Sequence, residues 1–339
     1  SIPKPVEAMD PNRKGESTPV WKIVGFSLGG IVILMLVIGA ASGWFKEKPA
    51  AAEVVTEAPV QNEVSITTKP TATTKSTATV KPTTTAKPTA TVKPAAGTEK
   101  VSDKDGMVMV YVPAGEFTMG SPRGVGYHDE YPEHQVYLSG YWIDQTEVTN
   151  AMFAKFVQET EYQTDAEKDG TSYAYVNGSW GEVSGANWRH PQGPGSTISG
   201  IENHPVVHVS WNDAVAYCEW AGRELPTEAQ WEKAARGTDG RTYPWGNTPP
   251  NSGLANYDWN IGDTTKVGSY PEGASPYGAL DMAGNVWEWV ADWYGEYPTG
   301  KVTDPQGPSM GDYRVIRGGS WFDLENNIRS ANRFRYDPD

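Results

Sequence analysis

The stretch Asp281–Tyr294 (DMAGNVWEWVADWY) gathers side chains suited to chemistry: Asp281, Asn285, Glu288 and Asp292, set among Trp287, Trp289 and Trp293. Indoles bury large apolar areas and want a partner for the ring N–H. Carboxylates resist burial unless they are paired or bind a metal. The two demands meet in a buried aromatic knot whose oxygens hold a hard cation. Gly284-Asn285 supplies a turn with inward carbonyls. Asn285 and Glu288 stand three residues apart, close enough to share one ion. An aromatic core with capping carboxylates satisfies the same residues, and both readings stand at this point.

Other reactive groups lead to less. His204 and His208 have the i, i+4 spacing of a zinc pair on a helix. Pro205 and Val206-Val207 make HPVVH a strand or loop, so the two rings do not share a face. His128-Asp129-Glu130 and His134 read as loop residues. The single cysteine, Cys218, excludes an intrachain disulfide and, next to Trp220, reads as a buried small hydrophobe. There is no Ser-His-Asp spacing and no phosphate loop; Gly318-Gly319 reads as close backbone packing under Trp321. Arg317, Arg329, Arg333 and Arg335 gather near the chain end. They either pair with buried carboxylates such as Asp292, as arginine usually does, or form an anion or ligand site.

These groups need a frame. With 339 residues, 21% charged and 38% hydrophobic, the chain allows one or two domains and a sizeable core. Twelve of its 14 tryptophans lie after residue 105. Residues 1–104 hold 13 basic and 9 acidic side chains, whereas residues 105–339 hold 15 and 33. So acidic a domain argues against nucleic-acid binding, which needs a basic face. Met107–Pro113, Glu116–Gly120, Gln135–Gly140 and Tyr141–Ile143 read as strands. Thr149 caps a helix with Phe153, Phe156 and Val157 at helical spacing. Gly170–Pro194 reads as a long irregular loop. Asn212 or Asp213 caps a second helix, Ala214–Gly222. Pro226-Thr227-Glu228 starts a third that runs through Ala235 with Trp231 inward. Little periodicity follows until a strand at Tyr313–Gly318. Two or three helices and many short loops around an aromatic core predict an α+β fold of low regular content.

The first 104 residues follow other rules. Residues 1–20 form a polar tail. Residues 21–45 read as a transmembrane segment, with Ile23–Trp44 long enough for one uncleaved membrane-spanning helix. Trp21, Trp44 and Phe45 sit at its ends, and Lys4, Arg13, Lys14 and Lys22 precede it, which places the N-terminus in the cytoplasm and the remainder outside. Gly25-xxx-Gly29 and Gly39-xxx-Gly43 let another membrane helix approach closely. Residues 46–104 are rich in Pro, Thr and Lys. Lys69–Val80 and Lys81–Val92 form an imperfect repeat without large apolar residues, so no core forms. At about 3.1 Å per residue this linker reaches well over 100 Å as a stalk. The globular domain then occupies 105–339.

Several segments of that domain together resemble the formylglycine-generating enzyme (sulfatase-modifying factor) family. They are Pro113–Gly120 (PAGEFTMG), Glu147–Asn150 (EVTN), Pro205–Trp211 (PVVHVSW) with Asp213-Ala214, Leu225–Trp231 (LPTEAQW), Tyr243–Gly246 (YPWG), Gly284–Trp289 (GNVWEW) and Arg317–Trp321 (RGGSW). Seven segments in order and spacing form a specific signal over 107–335. The resemblance implies a C-type-lectin-like fold of the formylglycine-generating enzyme type.

It also implies where to look for activity. Catalytic members of the family bind copper through two cysteines that follow the GGSW-like motif. The matching positions here are Asp323 and Ile328, and a carboxylate and an alkyl chain do not replace thiolates for soft Cu(I). The resemblance therefore implies a non-catalytic member with no copper. The family's calcium-binding members imply structural Ca²⁺ held by Asn256, the backbone of Tyr257, Asp263, Asn285 and Glu288, all hard oxygen donors. The expected function is a membrane-anchored extracytoplasmic interaction module, an accessory or scaffold subunit whose partners are the membrane proteins of a larger complex and the lipid bilayer. The alternatives are a lectin-like glycan- or peptide-binding module and an enzyme of altered oxidase-type chemistry using Asp323.

Overall fold

The computed structural model describes residues 93–339. The expected tail, the membrane helix at Ile23–Trp44 and the repeats of the linker lie outside these residues. Among the described residues no helix is long and apolar enough to cross a membrane.

The fold is mixed and loop-rich. β1 (Glu99–Val101), β2 (Val108–Val112) and β5 (Tyr141–Asp144) form one antiparallel sheet in the order β1-β2-β5. β3 (Gly115–Met119) and β4 (His134–Leu138) pair antiparallel, and β9 (Val302–Thr303) joins β4 in parallel. β8 (Glu288–Trp293), β10 (Arg314–Arg317) and β11 (Arg333–Tyr336) form a third sheet in the order β11-β10-β8. The helices are α1 (Asn150–Thr160), a short α2 (Asp165–Asp169), α3 (Trp211–Trp220) and α4 (Glu228–Arg236). The main core packs Trp231, Ala234 and Ala235 of α4 against Val110 and Val112 of β2, Val290 of β8 and Val315 of β10. A second core lies around α1, where Phe153, Phe156, Trp188 and Tyr217 meet edge-on or stacked.

Caps set the helix starts. Thr149 and Thr227 accept hydrogen bonds from the third helical N–H, as predicted. α3 departs from expectation: Ser210 is its cap, and Asp213, assigned as one of two possible caps, is the third helical residue whose carboxylate returns to the Ser210 N–H. A Ser-x-x-Asp reciprocal box moves the start three residues earlier than Ala214.

Four further strands correct the reading. Gly170–Pro194 contains a hairpin, β6 (Thr171–Val176) with β7 (Ser179–Ser184), rather than a continuous loop. Its two-residue turn, Asn177-Gly178, has φ of 54° and 82°, the double positive φ that matches hairpin twist and that Asn-Gly readily adopts. β8 emerges from the apparently aperiodic stretch after Arg236. β1 falls inside the assigned linker; all three of its residues are exposed, so no hydrophobic alternation announced it.

α4 is buried almost all round, charged residues included. Each has a partner. Glu228 accepts from Arg333 at 2.7 and 2.8 Å. Glu232 accepts from Arg317, from Arg236 at 2.8 Å and from the Gly120 N–H at 2.8 Å. Lys233 donates to the carbonyls of Pro113 and Gly115, each at 2.9 Å. Arg329 pairs with Glu130. The terminal arginines thus pair internally, but not with Asp292, which instead accepts the Glu228 N–H at 2.7 Å. Arg335 lies over the rings of Tyr294 and Tyr313.

Candidate functional site

Three places in this frame bear on function. The first is the acidic knot under Asp281–Tyr294. Glu147, one residue before Val148-Thr149, accepts from Asn285 Nδ2 at 2.7 Å and from the Val286 N–H at 3.1 Å. Burial pushes its carboxyl well above the usual range, and the nearby Asp281 and Glu288 push it further. Glu288 is pushed up to about 8 by burial and then by Asp281, although Trp231 Nε1–H donates to it at 2.9 Å. Burial lifts Asp281 to about 6; one of its oxygens accepts the Gly268 N–H, and the other, Oδ1, has no partner. Among the described residues none of these three acids forms an ion pair. They sit beside a cavity of about 400 Å³ among β5, α3, α4 and β8, with Glu147, Glu288, Trp231 and Trp289 in its lining.

The five predicted calcium ligands are placed unequally. Asn256 is buried; its Nδ2 donates to the Asp263 carbonyl at 2.9 Å and to Asn285 Oδ1 at 3.2 Å, and its own Oδ1 is unpartnered. Asp263 reaches this nest through its main chain, whereas its exposed carboxylate turns back to the Thr264 N–H. Tyr257 follows Asn256 and donates its hydroxyl to the Pro250 carbonyl. Asn285 and Glu288, expected to share one ion, both lie at Glu147. Asn285 Oδ1 accepts from the Thr265 N–H at 2.8 Å, and its Nδ2 holds Glu147. Asn256, Asp263 and Asn285 therefore meet, and through Asn285 this nest joins Glu147, beside which Asp281 and Glu288 lie. Among the described residues no three His, Cys, Asp or Glu side chains form a ready ligand group, so an ion here needs amide and main-chain oxygens too. The orphaned Asp281 Oδ1 and Asn256 Oδ1 are hard oxygens, and such a donor set fits Ca²⁺.

The second place is the pair of positions matching the family's cysteines. Asp323 accepts the Ser320 N–H at 3.0 Å and the Ser320 hydroxyl, and burial raises its carboxyl. Ile328 is wholly buried against Tyr243, Ala255 and Ala283. The histidine pair stays apart: His204 meets Thr264, while His208 links Ser172 of β6 to the Pro191 carbonyl, each at 2.8 Å. A carbonyl only accepts, so Nε2 carries the proton and Nδ1 accepts from Ser172.

The third place was not foreseen. Tyr173, Tyr175 and Trp180 of the hairpin meet Trp259, Trp321 and Phe322. Tyr173 stacks on Trp180 at 5° and Trp180 on Trp321 at 27°, while Trp259 stands at 90° to Trp321. Asp258 and Trp259 both have positive φ, 49° and 58°, and their N–H groups donate to the carbonyls of Asp323 and Trp321. Alternation of aromatics around Asn177-Gly178 was the available signal.

Comparison with known proteins agrees with this layout. Residues 94–339 match the family model described as the sulfatase-modifying factor enzyme 1-like domain. The chain is 42% identical over 266 residues to a formylglycine-generating enzyme of Mus musculus, covering 68% of this chain and 71% of that one. It is 41% identical over 250 residues to the inactive C-alpha-formylglycine-generating enzyme 2 of the same organism, covering 66% and 77%. Among solved structures, PvdO from Pseudomonas aeruginosa superposes with a TM-score of 0.58 at 27% identity, over 73% of this chain and 95% of that one. With its framework motifs in register and its fold of the same type, this chain belongs to the sulfatase-modifying factor (formylglycine-generating enzyme-like) domain family.

Proposed function

We propose that this chain is a non-catalytic interaction module, anchored by Ile23–Trp44 and acting outside the cytoplasm as an accessory or scaffold subunit of a membrane protein complex. The observation that carries the non-catalytic part is the chemistry at positions 323 and 328. One holds a carboxylate committed to Ser320, the other an alkyl group committed to the core. Neither supplies the thiolate that soft copper needs. The expected result is no formylglycine product from a sulfatase-type cysteine peptide, with copper and oxygen supplied; robust turnover would sink the reading.

The subunit role draws on the sequence of the membrane segment, whose small-residue spacings favour helix–helix packing. Blue-native electrophoresis of solubilised membranes should show the chain above its own mass. A species only at monomer mass, with or without crosslinker, would refute the role. Calcium belongs to the same reading as a structural ion. Asn256, the main chain of Tyr257 and of Asp263, Asn285 and Glu288 would hold it, and it would supply positive charge beside the buried acids Glu147 and Asp281.

A further inference from the structure

The tier of aromatic rings at the hairpin builds on the non-catalytic reading and gives it a ligand. Tyr173 is 41% exposed and Trp259 43%, and Ile261 and Leu324 beside them are more exposed still. Large apolar groups gathered this way on a surface mark a contact site. The backbone reinforces the point. Two successive non-glycine residues in the left-handed region carry a cost of order 1–2 kcal/mol each. They are kept there by the Asp258 and Trp259 hydrogen bonds to the segment Trp321–Asp323. That conformation is what holds the Trp259 indole upright against Trp321. On the other side, His208 and Ser172 fasten the hairpin to the loop at Pro191, so the rings stand on a fixed base.

Charge decides the class of ligand. The three segments forming the tier, 173–182, 257–263 and 321–326, contain the exposed acids Glu182, Asp258, Asp263 and Glu325, the inward Asp323, and neither lysine nor arginine. The acids of these segments repel anions. Ring faces are electron-rich, and they attract C–H groups of partial positive charge by the same electrostatics that draws cations. A pyranose offers such a flat C–H face, and its hydroxyls donate to carboxylate and amide oxygens. An extended peptide would instead need side-chain pockets spaced along the groove. The cavity of about 400 Å³ lies among β5, α3, α4 and β8, and a second of about 490 Å³ lies beside α1; no tier residue lines either. We infer that the exposed rings of Tyr173 and Trp259, backed by Trp180 and the buried Trp321, form a binding platform for a neutral or amino saccharide.

The test titrates the full chain in detergent, following tryptophan fluorescence, with oligomers of N-acetylglucosamine and of glucosamine. A sulfated oligosaccharide and a Lys/Arg-rich peptide serve as comparators. A saturable change is expected with the neutral or amino oligomer and none with the sulfated one. Trp259→Ala and Tyr173→Ala should each weaken binding about tenfold, the scale of one aromatic contact, and Trp259→Phe should restore part of it. Both side chains are partly exposed and lie outside the buried cores, and circular dichroism checks that the variants keep the fold. The inference falls if no neutral or amino oligomer binds, if binding survives both alanine substitutions, or if only the basic peptide binds. Those failures leave the copper assay untouched: a missing saccharide with no formylglycine product refutes the platform alone, and formylglycine product refutes the non-catalytic reading whatever the sugars do.

Discussion

Arg317→Met should destabilise the domain by about 3–5 kcal/mol, the usual cost of removing one partner from a buried ion pair. Arg317 is fully buried. Its guanidinium donates to Glu232 and to the carbonyls of Ser330, Ala331 and Asn332, and it lies 5.1 Å from the Trp231 ring. Methionine matches the length of the stem and none of the donors. Glu232 would keep only Arg236 and the Gly120 N–H, and three carbonyls would lose their partner. For a domain of this size, with roughly 2–4 °C per kcal/mol, the melting temperature should fall by about 10 °C. Arg335→Met is the control. That side chain is exposed and lies over the rings of Tyr294 and Tyr313, so its loss should cost less than about 1 kcal/mol. Equal effects from the two substitutions would mean that the buried network does not govern stability.

Calcium should raise the melting temperature of the full chain, and chelator should reverse the rise. An ion bound only by the native state stabilises by mass action, about 2.7 kcal/mol at a hundredfold excess over its Kd, or roughly 5–10 °C here. The effect follows from Glu147, Asp281 and Glu288, buried acids that form no ion pair among the described residues, and from the orphaned oxygens of Asp281 and Asn256. Glu288→Ala should abolish most of the calcium-dependent increment. Asp263→Ala should leave it nearly unchanged, because that carboxylate is turned to its own Thr264 N–H. No response to calcium or chelator in the unaltered chain would remove the structural ion.

What the sequence revealed depended on how local the signal was. Thr149 and Thr227 announce their helices because a cap and its N–H partner lie three residues apart. Trp231 was legible as inward-facing by helical spacing. The hairpin was missed although Asn177-Gly178 marked its turn, since the surrounding Gly, Ser and Asn resemble a loop by composition. β8 was hidden because its flanking strand is far away in sequence; register with β10 links Glu288 to Arg317. The site divides in the same way. The residue types around Asp281 pointed to buried oxygens, and they are buried. Which of them meet was not legible: Glu147 lies 138 residues from the Asn285 amide it accepts from, and no local pattern carries that pairing. The aromatic tier likewise draws on three separate segments.

The packing at positions 323 and 328 bears on protein engineering. Grafting a cysteine pair there is not a neutral exchange of ligands. Replacing Ile328 removes volume from a closed contact with Tyr243, Ala255 and Ala283, at a cost of about 1 kcal/mol or more. Replacing Asp323 strips the acceptor from the Ser320 N–H and hydroxyl, about another 1 kcal/mol per bond. The same segment receives the N–H groups of Asp258 and Trp259, so slackening it would disturb the neighbouring tryptophan as well. A designer seeking oxidase chemistry on this scaffold would first have to repack its surroundings, because these two side chains now serve as masonry.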